Sequence, residues 1–133
     1  MSAILSGERM LTELDFARLS RLDDGRLPGD LAAGLVAADL TSSREVPADV
    51  VTMYSQVVIR HGGTGTKQKL TLCYPEDAEP AEGFVSVLSP VGASLLGLRV
   101  GATARWQTPH GDERRATIES ILFQPEASGD YTL

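Results

Sequence analysis

Ser89-Pro90-Val91-Gly92-Ala93-Ser94-Leu95-Leu96-Gly97-Leu98-Arg99-Val100-Gly101 packs more local structural instruction than any other stretch of the chain. Ser89 can cap a helix whose first position is Pro90, because proline there gives up only an amide that the first turn leaves unpaired. Val91, Leu95, Leu96 and Leu98 then make an apolar cluster over about two turns. Gly97 supplies the positive-φ position that commonly ends a helix, and Gly101 opens a second turn. The expectation is a short, sharply bounded helix that covers a sheet and turns into a strand.

Working outward, the period on both sides is that of strands. Val50–Met53 and Gln56–Arg60 read as extended, and Gly62-Gly63-Thr64-Gly65 as a turn. Lys67–Tyr74 alternates Lys69, Thr71 and Cys73 against Leu70, Leu72 and Tyr74, the mark of a strand with one buried face. Pro75-Glu76-Asp77-Ala78-Glu79-Pro80 is an acidic loop, followed by a strand at Phe84–Leu88. Thr103–Gln107 and Arg114–Phe123 close the set, with Ala116, Ile118, Ser120 and Leu122 on one face of the last strand. One helix among antiparallel strands gives an α+β domain of four to five strands.

Upstream of Pro47 the period is helical. Thr12–Leu22 reads as one helix, with either Thr12 or Asp15 as its cap. A second runs from about Asp30 with Leu31, Leu35, Val36 and Leu40 on one side. Asp23-Asp24-Gly25 and Leu27-Pro28-Gly29 form the loop between them, so residues 1–46 read as a short antiparallel helical hairpin. The boundary is placed at Pro47, with 47–133 as the second unit. The polar ending Gln124–Leu133 carries Tyr131 and Leu133, which could tuck against the sheet.

The chain has 133 residues, 42% of them apolar, and a formal charge of −6. That size fits one compact domain or a domain with an appendage. The acidity argues against a nucleic-acid surface of its own, because such domains cluster Lys and Arg against phosphates. The single cysteine, Cys73, lies in an apolar run and reads as an inert buried thiol. No apolar span approaches membrane length and no signal peptide is apparent, so a cytoplasmic setting without membrane contact is expected.

Chemistry is hard to find. His61 and His110 sit beside glycines in turns and have no ligand set at metal spacing. Ser89 lacks a nucleophile-elbow context. Gly62–Lys67 lacks the Walker spacing and precedes a strand, so it reads as a hairpin turn. No catalytic residue, cofactor, metal or small-molecule substrate is expected. Asp23 and Asp24 are an adjacent acidic pair at the hairpin tip, able to share a Mg²⁺ or simply to form a solvated turn.

At Ser89–Gly101 the residues resemble the C-terminal signature of the GreA/GreB transcription elongation factor family, more closely its regulator of nucleoside diphosphate kinase branch. Pro47–Met53, Leu72–Pro75, Trp106 with Pro109 and Gly111, and Phe123–Tyr131 add to the resemblance, which covers most of 47–133. It implies an FKBP-like domain that docks on RNA polymerase near the secondary channel, with the coiled coil pointing inward and nucleic acid met only through polymerase. Ser89, Pro90, Val91, Gly92, Leu95, Leu98, Arg99 and Gly101 are the docking residues that it implies. In cleavage factors, acidic tip residues help to hold the catalytic Mg²⁺. Here a helix of ten residues would reach only about 15 Å, and spanning the channel needs about twice that or more. Asp23 and Asp24 are therefore expected to stop short, which favours a non-enzymatic regulator competing for the channel. The alternatives are a cleavage cofactor using that pair, and a regulator of nucleoside diphosphate kinase.

Overall fold

The computed structural model describes residues 9–21, 38–108 and 110–130. Thr12 fixes the start of the first helix: its hydroxyl accepts from the Asp15 backbone N–H, so Thr12 rather than Asp15 is the cap. A strand, β1 (Met10–Thr12), leads directly into helix α1 (Glu13–Ser20). Strand β2 (Asp39–Thr41) lies beside β1 in parallel. Leu40, expected on a helix face, is thus in a strand and about half exposed. Asp23, Asp24, the expected helix from Asp30, Pro109, Tyr131 and Leu133 lie outside the described residues.

The main sheet has five strands: β3 (Gln56–His61), β4 (Lys67–Cys73), β5 (Phe84–Ser86), β6 (Thr103–Gln107) and β7 (Glu113–Phe123). Their order is β5-β4-β3-β7-β6, with helix α2 (Pro90–Leu95) inserted between β5 and β6 in the chain. The expectation of an all-antiparallel sheet is corrected at one edge, where β5 pairs parallel to β4. The cause is the acidic loop, which folds into two proline-led 3₁₀ turns, Pro75–Asp77 and Pro80–Glu82, and carries the chain back before β5 begins. Val50–Met53, read as extended, stands outside the sheet. It contributes one isolated bridge, Val50 to Arg99, before turning at Tyr54.

The long strand β7 departs from simple alternation. Ile118 faces Ile59, but Ser120 faces Val58 and Ile121 faces Val57, so the register slips beside Glu119 and again beside Leu122. Each slip inserts a residue and reverses which face the following side chains take. Ile121 consequently packs on the core, whereas Leu122, expected inward, is 53% exposed.

Val57, Ile59, Leu70, Leu72 and Ile118 turn inward from the sheet and meet Leu95, Leu96 and Leu98. Leu11 and Leu19 from the N-terminal segment belong to the same cluster. Burying each such leucine stabilises the fold by about 1.5–3 kcal/mol, enough to hold the segment against the sheet.

Candidate docking site

Ser89 organises the turn that launches α2. Its hydroxyl donates to the Ser86 carbonyl at 2.7 Å and accepts from the Gly92 N–H at 3.2 Å. Gly92 is required because a Cβ there would stand 2.1 Å from the Ser86 carbonyl oxygen. The helix therefore lies directly against the end of β5. At the other end, Gly97 has φ +82°, as the sequence predicts for a helix stop. Its N–H donates to Val51 O at 2.8 Å, and its carbonyl accepts from Met10 N at 2.9 Å. The Arg9 guanidinium donates to the carbonyls of Ala93 and Leu96 at 2.8 and 2.9 Å, closing the C-terminal end of α2 with a cation.

The chain then runs outward. Val100 N donates to Asp49 O and Gly101 N to Ile118 O, and Gly101 takes φ +94°. The Arg99 side chain pairs with Asp49 at 3.4 Å, with both about half exposed.

This geometry divides the eight residues expected to dock. Gly92, Leu95 and Leu98 are buried and serve the core. Pro90 is exposed and Ser89 and Val91 are half-buried at the start of the motif, while Arg99 and Gly101 are exposed at its end. The accessible part is thus two lips around a buried middle. Val100, 38% exposed between Arg99 and Gly101, was missed, as was Asp49. An apolar residue inside a turn was the available signal for Val100; nothing in the sequence pairs Asp49 with Arg99.

Burial, then Asp77 and Glu76, push the Cys73 thiol above its ordinary value, which disfavours the thiolate. His61 Nε2 is engaged with Gln68 Oε1 at 2.8 Å. Among the described residues no group of His, Cys, Asp and Glu could hold a metal ion, and no helix is long and apolar enough to cross a membrane.

The model of the transcription elongation factor GreA/GreB C-terminal region matches residues 46–123. The chain belongs to the GreA/GreB family. It is 43% identical over 103 residues to the regulator of nucleoside diphosphate kinase of Escherichia coli K12, covering 77% of this chain and 76% of that protein. It is 38% identical over 74 residues to the transcription elongation factor GreA of Solidesulfovibrio magneticus, covering 56% of this chain and 45% of the GreA. A solved GreA/GreB factor from Nitrosomonas europaea superposes with a TM-score of 0.72 at 36% identity, over 87% of this chain and 98% of that one. Within the GreA/GreB fold, Ser89–Gly101 occupies the helix and turns just described.

Proposed function

We propose that this GreA/GreB-family chain is a non-enzymatic regulator of transcription that binds RNA polymerase at its secondary channel, modulates elongation and competes there with cleavage factors. Residues 47–133 dock together with the β1–β2 clasp and α1 packed on them, and the segment of residues 1–46 that lies between Arg21 and Ala38, with Asp23 and Asp24 at its tip, enters the channel. The contact is made by the two lips of the motif: Ser89, Pro90 and Val91 on one side, Arg99, Val100 and Gly101 on the other. The observation that carries this reading is the contrast within one segment. Its middle is fixed by Leu95, Leu96 and Leu98 in the core, while Pro90 and Arg99 stand exposed at either end. A surface held that rigidly loses little conformational entropy on binding.

A pull-down with purified core RNA polymerase tests it. The intact protein is expected to be retained at low salt and micromolar concentration, and Pro90→Asp with Arg99→Glu to weaken retention by about tenfold or more. No retention of the intact protein overturns the proposal. The name of the E. coli relative favours one further reading, regulation of nucleoside diphosphate kinase, which we take to act through transcription. Direct binding to the purified kinase would displace that view.

A further inference from the structure

We infer that the outward face of the five-stranded sheet is a binding surface for single-stranded nucleic acid, with cations at one end and aromatic rings at the other. The registers set the side chains of this face in rows. Phe84, Thr71, Gln56 and Phe123 form one row across β5, β4, β3 and β7. Lys69, Val58 and Ser120 form the next, and Lys67, Arg60, Thr117 and Thr103 the one after. Arg115 and Arg105 face each other in the fourth, and Glu113 and Gln107 in the last. Successive rows are about 7 Å apart, so the face runs about 20 Å from rings to guanidinium groups.

The cationic end is not explained by the fold. Like charges directly opposite in an antiparallel pair are destabilising, yet Arg105 and Arg115 occupy such a pair and both are exposed. Glu119 pairs with Arg60 at 3.3 Å and Lys67 at 3.1 Å. Lys69, Arg105 and Arg115 have no ion-pair partner among the described residues. Five cations against two carboxylates, Glu119 and the exposed Glu113 in the row beyond Arg115, in a chain of net charge −6, make a local field of opposite sign to the whole. A polyanion complements it.

The aromatic end decides which polyanion. Phe84 and Phe123 are 38% and 42% exposed, and with Tyr54, Gln56 and Thr71 they line an open groove of ≈ 290 Å³. Tyr54 is the one described non-glycine residue at positive φ, 66°, a conformation uncommon for an aromatic residue. Its hydroxyl donates to Asp77 and its N–H to Leu72 O, and its ring meets Tyr74 at 5.8 Å, so it is held at the groove. Open rings beside a row of cations suit unpaired bases, which stack on them while the backbone tracks the charges. A duplex offers no free base faces, and an acidic protein surface has no use for the rings. The surface is separate from the docking lips, so the inference does not depend on the polymerase reading.

Fluorescence anisotropy with labelled twelve-nucleotide oligo(U) and oligo(dT), a duplex of equal length and polyglutamate as competitor tests the inference on the full chain. Both single strands are expected to bind with a Kd below about 100 µM at low salt, several-fold tighter than the duplex. Lys69→Glu with Arg115→Glu should weaken binding at least about tenfold and flatten the salt dependence. Phe84→Ala with Phe123→Ala should weaken it by about fivefold or more without changing the salt slope. Thermal melts confirm that each variant is folded, and the single variant Lys69→Ala serves if a double variant is not. No single-strand binding by the wild type, binding indifferent to these variants, equal affinity for the duplex, or equally effective competition by polyglutamate would each overturn it.

Discussion

Asp15 Oδ2 accepts a hydrogen bond from the backbone N–H of Met53 at 3.1 Å, joining α1 to the segment before β3 across 38 positions of sequence. The carboxyl is 1% exposed, and burial lifts its pKa from 3.8 to about 7, against the pull of the Met53 N–H; Glu126 raises it further, while Arg18 and Thr12 lower it. Because the folded value lies above the unfolded one, the folded protein holds this proton between about pH 4 and 7 when the unfolded chain has released it. Stability from this group is therefore greatest at low pH, falls as pH rises through that window, and stays constant above it, with a slope of at most about 1.4 kcal/mol per pH unit. Asp15→Asn keeps an acceptor for Met53 and removes the titration. Urea unfolding from pH 5 to 8 should show a flatter profile for the variant; an unchanged profile would place the dependence elsewhere.

Gly92→Ala forces a methyl group to 2.1 Å from the Ser86 carbonyl oxygen, a backbone atom tied into the turn by two donors, Ser89 N and Ser89 Oγ. The helix must shift off β5, at a cost of about 2 kcal/mol or more. A fall in the urea midpoint with little change in slope is the expected result, and a wild-type midpoint would contradict the close approach.

Ser89→Ala removes both the cap on Gly92 N and the bond to Ser86 O. A loss of about 1 kcal/mol is expected. Ser89→Thr keeps the hydroxyl and should recover most of it in the same unfolding assay.

Arg9→Ala releases the carbonyls of Ala93 and Leu96 and loosens the turn to which Met10 N is bonded. Charge-assisted bonds of this kind contribute about 1.5–3 kcal/mol. Hydrogen exchange should show the Met10 amide losing protection while the amides of β3 and β7 keep theirs. Equal loss everywhere would mean that the arginine supports the whole domain rather than this joint.

What could be read in advance depended on whether the instruction was local. The start and stop of α2 were legible because Ser89, Pro90 and Gly97 each act within a turn of where they stand. Strands β3, β4 and β6 followed from period and turn residues. The reversal of Ile121 and Leu122 was not legible, because a bulge is a property of two paired strands and leaves no mark in one. Nor could β1 and β2 be found: three residues each, they become strands only by pairing with one another and through the bond from Met10 to Gly97. At the candidate site, the motif's position was visible. The division between buried and accessible members was not, since Val91, Leu95 and Leu98 look alike until the sheet beneath them is in place.

The parallel clasp of β1 and β2 has an evolutionary and engineering consequence. Helix α1 packs on the core through Leu19 and Asp15, and β2 pairs in parallel with β1, so the segment between Arg21 and Ala38 is attached at one fixed mount. Lengthening a connection costs only about 0.6 kcal/mol per doubling, so the insert between Arg21 and Ala38 can be exchanged for a longer or shorter one while the mount keeps its shape. Because the mount is bonded to the Gly97 turn, every such exchange inherits the same alignment to Ser89–Gly101. One platform can in this way carry inserts of different length.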